Sequence, residues 1–154
     1  MSEADSHPLD LRNARQAGVY RVMCADVAPL QAIAREEEVA VYEIDLTGAD
    51  GKRELIERIH LALEFPADWG RNWDALADGL NDLSWLGDAT PCLLVWRGID
   101  DLHADAPELE STLIGILEDA SANWAEDDIA FWSLICLARI PPAELDDDAD
   151  AFRH

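Results

Sequence analysis

Three aspartates recur at intervals of four residues in one short stretch of the chain, at Asp74, Asp78 and Asp82. In an α-helix this spacing places the carboxylates along one face, where they can pair with the cationic groups of a basic partner. Like charges at this spacing repel each other by roughly 0.2–0.5 kcal/mol per pair, and only Asp74 lies in the first turn, where the helix dipole favours an anion. The pattern is compatible with a binding surface and equally with an ordinary solvated face.

The residues around these acids predict a tight loop followed by a short helix. Asn72 is a suitable N-cap, because its side-chain oxygen can accept a hydrogen bond from an amide of the first turn. Apolar residues recur at helical spacing on a different face from the acids, and that face is predicted to be buried. These residues are Trp73, Leu76, Leu80 and Leu83.

The composition is that of a folded, strongly acidic protein with one domain. At 154 residues and 49% hydrophobic content, the chain is long enough to bury a core without disulfides or metal, and its formal net charge is −22. This charge repels phosphates, so direct binding to nucleic acid or to an anionic membrane is not expected. The charge indicates a basic partner, or simply high solubility.

Two features of the sequence indicate the cellular compartment. The first residues lack a basic segment followed by an apolar run, and no apolar run is long enough to span a membrane. Cys24, Cys92 and Cys136 lie in apolar stretches, without the close spacing of a metal or redox site. We therefore expect reduced, buried cysteines in a cytoplasmic protein.

Segments with strand-like and helix-like patterns alternate along the chain. Strands are predicted at 19–24, 39–46, 92–96 and 129–137, and helices at 29–38, at 51–64 and from 105–108 onward. Asp50 is expected to cap the second of these helices, and Asp105 and Glu108 to bracket the start of the third. The alternation is typical of an α/β fold in which helices cover a small parallel sheet.

The order of residues between Pro66 and Leu80 resembles the barstar family of ribonuclease inhibitors. The residues that carry the resemblance are Pro66, Trp69, Gly70, Asn72, Asp74-Ala75-Leu76, Asp78 and Leu80. The elements on either side follow the order of that family from Val39 to Leu137. The fold implied by the resemblance is a compact, three-stranded parallel sheet packed by helices.

The resemblance divides the chain into four parts. A flexible N-terminal arm is expected at residues 1–18 and an acidic C-terminal tail at 138–154, with a barstar-like domain at 39–137. The remaining segment, 19–38, precedes the part that resembles the family. We expect this N-terminal addition to supply a fourth strand at an edge of the sheet, together with its crossover helix.

The resemblance implies an inhibitor and not an enzyme, without a cofactor or a metal, and monomeric when free. Its loop and acidic helix would enter the active site of a basic ribonuclease. Asp78 would take the place of the substrate phosphate, because Arg binds a carboxylate or a phosphate through the same two-pronged hydrogen bonding. Gly70 would let the backbone turn closely against the partner. The implied partner-binding residues are Trp69, Gly70, Asn72, Trp73, Asp74, Ala77, Asp78, Asp82 and Glu118.

Departures from the family pattern leave a second interpretation open. Asp68 and Ala77 stand where the family has aromatic contact residues, so this surface has fewer aromatic anchors and more acid. Glu118 fits a solvated helix position as well as it fits a contact. The second interpretation is a binding module or immunity protein for a basic partner that is not a ribonuclease, or a mimic of nucleic acid.

Catalytic and metal-binding interpretations have weaker support in the sequence. His103 has three aspartates nearby in the chain, but the pattern is more typical of a loop that enters a helix than of a general base. The aspartates at 146–150 resemble the start of a calcium loop, but the glycine and the distal glutamate of such a loop are missing. We expect that run to be solvated charge.

Overall fold

A four-stranded parallel sheet forms the centre of the computed structural model, which describes residues 10–86 and 91–137. The order of strands across the sheet is β1-β4-β3-β2, and all three pairings are parallel. The strands are β1 (Val19–Met23), β2 (Ala40–Asp45), β3 (Cys92–Arg97) and β4 (Phe131–Leu137). The predicted α/β fold is confirmed, and β1 is the expected additional strand at an edge of the sheet.

Five α-helices of the described residues pack against both faces of this sheet. They are α1 (Val27–Glu36), α2 (Gly51–Ala62), α3 (Trp73–Leu80), α4 (Ile99–Asp105) and α5 (Pro107–Glu126). Successive residues of β3 and β4 point to opposite faces, so Leu94 and Trp96 join the large core under α2 to α5, whereas Leu93 and Trp132 join a smaller cluster with α1. Their continuous apolar sequence is what two-sided burial requires.

Residues 10–17 lie against the smaller cluster, although the sequence suggested a loosely held arm. Leu11 and Ala14 are buried, with 2% and 4% of their surface exposed. The indole Nε1 of Trp132 donates a hydrogen bond to the carbonyl of Leu11, at 2.8 Å. This part of the arm therefore covers the sheet face that α1 leaves open. Residues 1–9 and the predicted acidic tail lie outside the described residues.

The capping of two helices differs from the prediction, although α2 starts at Gly51 as expected. The Asp50 side chain does not cap α2, and instead the Asp50 amide donates to the Glu54 carboxylate, at 3.0 Å. Asp105 does not cap α5 because it belongs to the last turn of α4, a helix that the sequence patterns did not reveal. The N-cap position of α5 is Ala106, followed by Pro107 in the first helical position.

The prediction that all three cysteines are reduced is wrong for two of them. Cys24 and Cys136 form a disulfide, with their Cα atoms 5.0 Å apart. The reason is the strand order: β1 lies beside β4, with Val22 opposite Cys136, so the chain leaving β1 passes next to this cysteine. Cys92 is not part of the disulfide, and burial raises the pKa of its thiol to about 11. None of the helices described is long and apolar enough to span a bilayer.

Candidate protein-binding surface

The loop at residues 66–72 leads directly into α3, and Asn72 joins the two. The Asn72 side-chain oxygen accepts a hydrogen bond from the amide of Ala75, at 2.8 Å, which confirms the predicted N-cap. The helix is short and ends at Leu80, with Asn81 as its C-cap. Asp82 therefore lies in the turn after the helix and not on it, although the four-residue spacing predicted one continuous acidic face.

The helix separates acidic and apolar residues onto different sides. Asp74 and Asp78 are exposed to solvent, and so is Asp82 in the following turn. Leu76 and Leu80 are fully buried in the large core. Because one side of α3 is fixed by packing, its acids are held on a rigid support. Trp73 and Ala77 are half-buried beside them.

An aromatic cluster attaches the loop to the helix. The Nε1 of Trp69 donates to the carbonyl of Ala75 in α3, at 2.8 Å. The ring of Trp69 lies edge-on to Phe65, with centroids 6.0 Å apart, and 5.1 Å from the ring of Trp85. The Nε1 of Trp85 donates in turn to the carbonyl of Leu63, at 3.0 Å. Trp69 is half-buried. Its hydrogen bond to Ala75 and its ring contacts with Phe65 and Trp85 hold the loop against α3.

Two glycines allow these close contacts. A Cβ atom at position 79 would overlap the ring of Phe65, lying 2.7 Å from its Cζ atom, and would lie 3.1 Å from Nε1 of Trp69. A Cβ atom at position 70 would lie 3.0 Å from the Cβ of Ala75. Gly70 therefore serves close packing of the loop on α3. Gly79 was not among the residues predicted from the sequence, although a glycine within a helical pattern indicates close packing.

Helix α5 carries Glu118, the remaining predicted contact. Helices α5 and α3 are joined where Asn123 Nδ2 donates to Asn81 Oδ1, and Trp124 Nε1 donates to the carbonyl of Leu80, each at 2.8 Å. Glu118 is exposed and lies five residues before Asn123, about 140° around the helix. Asp119, four residues before Asn123 and therefore about 40° from it around the helix, is also exposed. It was not among the residues predicted from the sequence.

Arg71 is the one basic residue between Glu64 and Leu86, and the sequence analysis gave it no role. Its Nη1 donates to two carbonyls of the same loop, those of Ala67 at 2.8 Å and Trp69 at 2.7 Å. Its Nε donates to the Glu57 carboxylate in α2, at 3.2 Å. No sequence pattern reveals these contacts, because they depend on where the loop carbonyls point.

His60 lies in α2, close to the aromatic cluster of the loop. Only 4% of its surface is exposed, and its ring stacks on Phe65 with centroids 4.5 Å apart. Burial lowers the pKa of His60 below its usual value, and the positive charge of Arg71 lowers it further. The ring is therefore neutral at pH 7 and packs as an aromatic residue.

His103, the histidine considered above as a general base, lies within α4 and not in a loop that leads into a helix. Its Nδ1 lies 2.7 Å from Oε1 of Glu110, whose Oε2 accepts a hydrogen bond from Arg21 at 3.1 Å. These three residues connect α4 and α5 to β1. Within residues 10–86 and 91–137, no group of histidine, cysteine and acidic side chains is arranged to hold a metal ion. The aspartates at 146–150 lie outside the described residues.

The fold and this surface define a class of protein: a small parallel α/β domain that presents acids on a packed helix beside an ordered loop. The Barstar family, described as Barstar (barnase inhibitor), matches residues 39–136. The chain belongs to this family, whose members are inhibitors and not enzymes. No curated protein matches the chain. The matched range contains the loop, α3 and β2 to β4, whereas β1 and α1 precede it.

Proposed function

We propose that this protein is an inhibitor that binds a basic ribonuclease one-to-one and covers its active site with the loop and α3. The observation that carries the proposal is the exposure of Asp74 and Asp78 on a capped, packed helix, in a chain of the barnase-inhibitor family. Family membership supports a ribonuclease as the partner, and the exposure of these acids supports α3 as the part of the surface that would meet it.

The chemistry of the proposed contact is imitation of a phosphate. A ribonuclease active site must bind the RNA backbone with cationic side chains, and Arg donates hydrogen bonds to a carboxylate in the same geometry as to a phosphate. We assign this role to Asp78 and a supporting one to Asp74. The net charge of −22 would attract a basic enzyme over a distance, so association should slow as salt is added.

The remaining residues of the proposed surface surround these two acids. Trp73 and Ala77 supply half-buried apolar area on α3, and Asp82 adds charge just beyond it. Further contacts are assigned to Trp69, Gly70, Asn72 and Glu118. An inhibitor of this kind would act in the cytoplasm of the producing cell, where it neutralises the enzyme before secretion. Because the cytoplasm favours reduced thiols, inhibition there should not require the Cys24–Cys136 disulfide.

Retention of a ribonuclease from the native organism tests this proposal. The immobilised wild-type protein and its Asp74→Ala/Asp78→Ala variant are exposed to lysate and culture medium, and ribonuclease activity is measured after the bound proteins have been eluted from the inhibitor. An Asp26→Ala/Asp105→Ala variant removes two exposed acids elsewhere and is the matched control. We expect ribonuclease activity in the eluates from the wild type and the control, and little in the eluate from the Asp74/Asp78 variant.

Two results would overturn the proposal. Equal retention by all three forms would mean that α3 is a solvated surface. Capture of a basic protein without ribonuclease activity, lost on the Asp74/Asp78 variant, would keep α3 as the binding site but reject a ribonuclease as the partner. The departures from the family pattern at Asp68 and Ala77 are the reason for including this second outcome.

A further inference from the structure

We propose that Arg71 is a positioning residue of the binding surface, which fixes the loop before any partner arrives and keeps its own charge paired with Glu57. Arg71 has the opposite charge to the acids of the proposed surface. Its expected effect on binding rests on the proposed function, whereas its expected effect on the loop of the free protein does not.

The contacts of Arg71 close the loop on itself. The amide of Trp69 donates to the carbonyl of Pro66 at 3.0 Å, which makes a tight turn at the start of the loop. The guanidinium of Arg71 then binds the carbonyls of Ala67 and Trp69, four and two residues before it in the chain. A guanidinium is suited to this because its donors are fixed in one plane. The loop is thereby held by a side chain of its own.

The pairing with Glu57 joins the loop to α2. The Arg71 and Glu57 side chains are 36% and 41% exposed, so this ion pair adds little stability by itself. The ion pair instead fixes the position of the Arg71 side chain, because it holds the guanidinium next to α2. Among the described residues, Glu57 is the carboxylate that forms an ion pair with Arg71, and the acids of α3 remain available for a partner.

Both effects serve binding to a basic partner. A loop without regular structure must be ordered when it binds, and that cost is smaller when the bound shape already exists. A cation inside an acidic surface would repel a basic enzyme unless its charge were neutralised locally. Arg71 meets the first need through the loop carbonyls and the second through Glu57.

The structural part is tested by hydrogen exchange of the free protein, measured by mass spectrometry. In Arg71→Ala, we expect faster exchange of the amides in residues 67–72, including the Trp69 amide, which donates a hydrogen bond to the carbonyl of Pro66. Exchange in β3 and β4 should be unchanged. Arg53→Ala is the matched control, since it removes an exposed positive charge from α2 without touching the loop.

The functional part is tested by binding kinetics with barnase as the probe. Arg71→Ala makes the inhibitor more acidic, so charge alone predicts tighter binding to a basic enzyme. We expect the opposite, about tenfold weaker binding through faster dissociation. Arg71→Lys keeps the charge but loses the planar fork, so it should recover only part of the affinity. Arg53→Ala should bind as well as the wild type or slightly better.

Separate results would overturn each claim. Unchanged exchange in residues 67–72 of Arg71→Ala would reject the positioning role, whatever the binding result. Equal or tighter binding of Arg71→Ala, with the wild type still binding barnase, would reject its importance for the partner and leave the proposed function intact. If exchange changes as expected but the wild type captures no ribonuclease in any assay, the proposed function fails and the positioning role stands.

Discussion

The proposed binding surface at residues 66–82 and the N-terminal addition at residues 19–38 use their side chains in opposite ways. In the proposed binding surface, Asp74 and Asp78 remain exposed, and the hydrogen bonds lie behind them, in the loop and the helix cap. In the addition, Val27 and Ala34 are buried against the sheet, and Cys24 is bonded to Cys136 of β4. The first region displays charge on a fixed frame, whereas the second covers one face and one edge of the sheet.

The two regions should therefore respond differently to substitution. A change in the displayed acids should alter binding and leave stability nearly unchanged. A change in the addition should alter stability and leave binding nearly unchanged. The family match supports this division, since it begins at residue 39 and does not include β1 or α1.

The largest effect is expected from Asp78→Ala. If Asp78 meets a cationic group of the ribonuclease, its loss should weaken binding by at least about 30-fold, the loss typical of a hot-spot residue. The free energy of unfolding should change by less than about 0.5 kcal/mol, because the side chain is exposed. Asp26→Ala, which removes an exposed acid from the addition, is the control. Equal losses from both variants would erase the distinction between the two regions.

For Cys24→Ser, we expect a loss of stability without a loss of binding. The disulfide joins residues that are 112 apart in sequence, and loss of such a cross-link typically costs about 2–4 kcal/mol of stability. Urea unfolding without reductant should show this difference, and it should vanish in the presence of a reducing agent. Ribonuclease binding should be unaffected. If the variant and the wild type unfold alike without reductant, the cysteines are not bonded in solution.

A smaller effect, on both stability and binding, is expected from Gly79→Ala. In most helices this change is stabilising by about 0.5–1 kcal/mol, because the unfolded chain loses freedom. Here the new methyl group would overlap Phe65, so we expect a loss of about 1–3 kcal/mol and a looser loop. Gly115→Ala in α5, where a methyl group meets open space, should be stabilising in the same thermal or urea measurement. A stabilising Gly79→Ala would contradict the packing described.

The smallest effect is a pH dependence from His60. Its pKa is lowered in the folded protein, so the unfolded chain binds a proton where the folded protein does not. The free energy of unfolding should therefore fall as the pH drops below about 6.5, by at most about 1.4 kcal/mol per pH unit, until the lowered pKa is reached. His60→Phe should lack this component when urea unfolding at pH 5 and pH 7 is compared with the wild type. Identical pH profiles would show that His60 does not titrate differently on folding.

The parts of the fold that depend on local patterns were predictable from the sequence. The two-sided burial of β3 and β4 follows from continuous apolar runs, and the Asn72 cap follows from one residue type at one position. The short helix α4 was missed because its seven residues, with three aspartates, show too brief an apolar period. For the same reason, the cap of α5 was predicted at Asp105, one residue before Ala106, which occupies that position.

The features that depend on long-range contacts were not predictable. Three cysteines do not reveal which two pair, and the disulfide depends on β1 lying beside β4. The inward contacts of Arg71 depend on two loop carbonyls whose direction is set by the turn at Pro66. The exposure of Asp74 and Asp78 could be predicted from the sequence, but the end of α3 at Leu80, before Asp82, could not.

The position of β1 has a consequence for the order in which the protein can fold during synthesis. Val19, at the start of β1, pairs with Ser133 in β4, so the first of the described strands to leave the ribosome pairs with the last of them. Until β4 has been made, β1 has no place in the sheet, and Cys24 has no Cys136 to bond with. The family domain can acquire its other strand pairings without the addition, whereas the addition must wait for the family domain. Truncated chains that end before residue 131 should therefore leave β1 exposed to other strand edges.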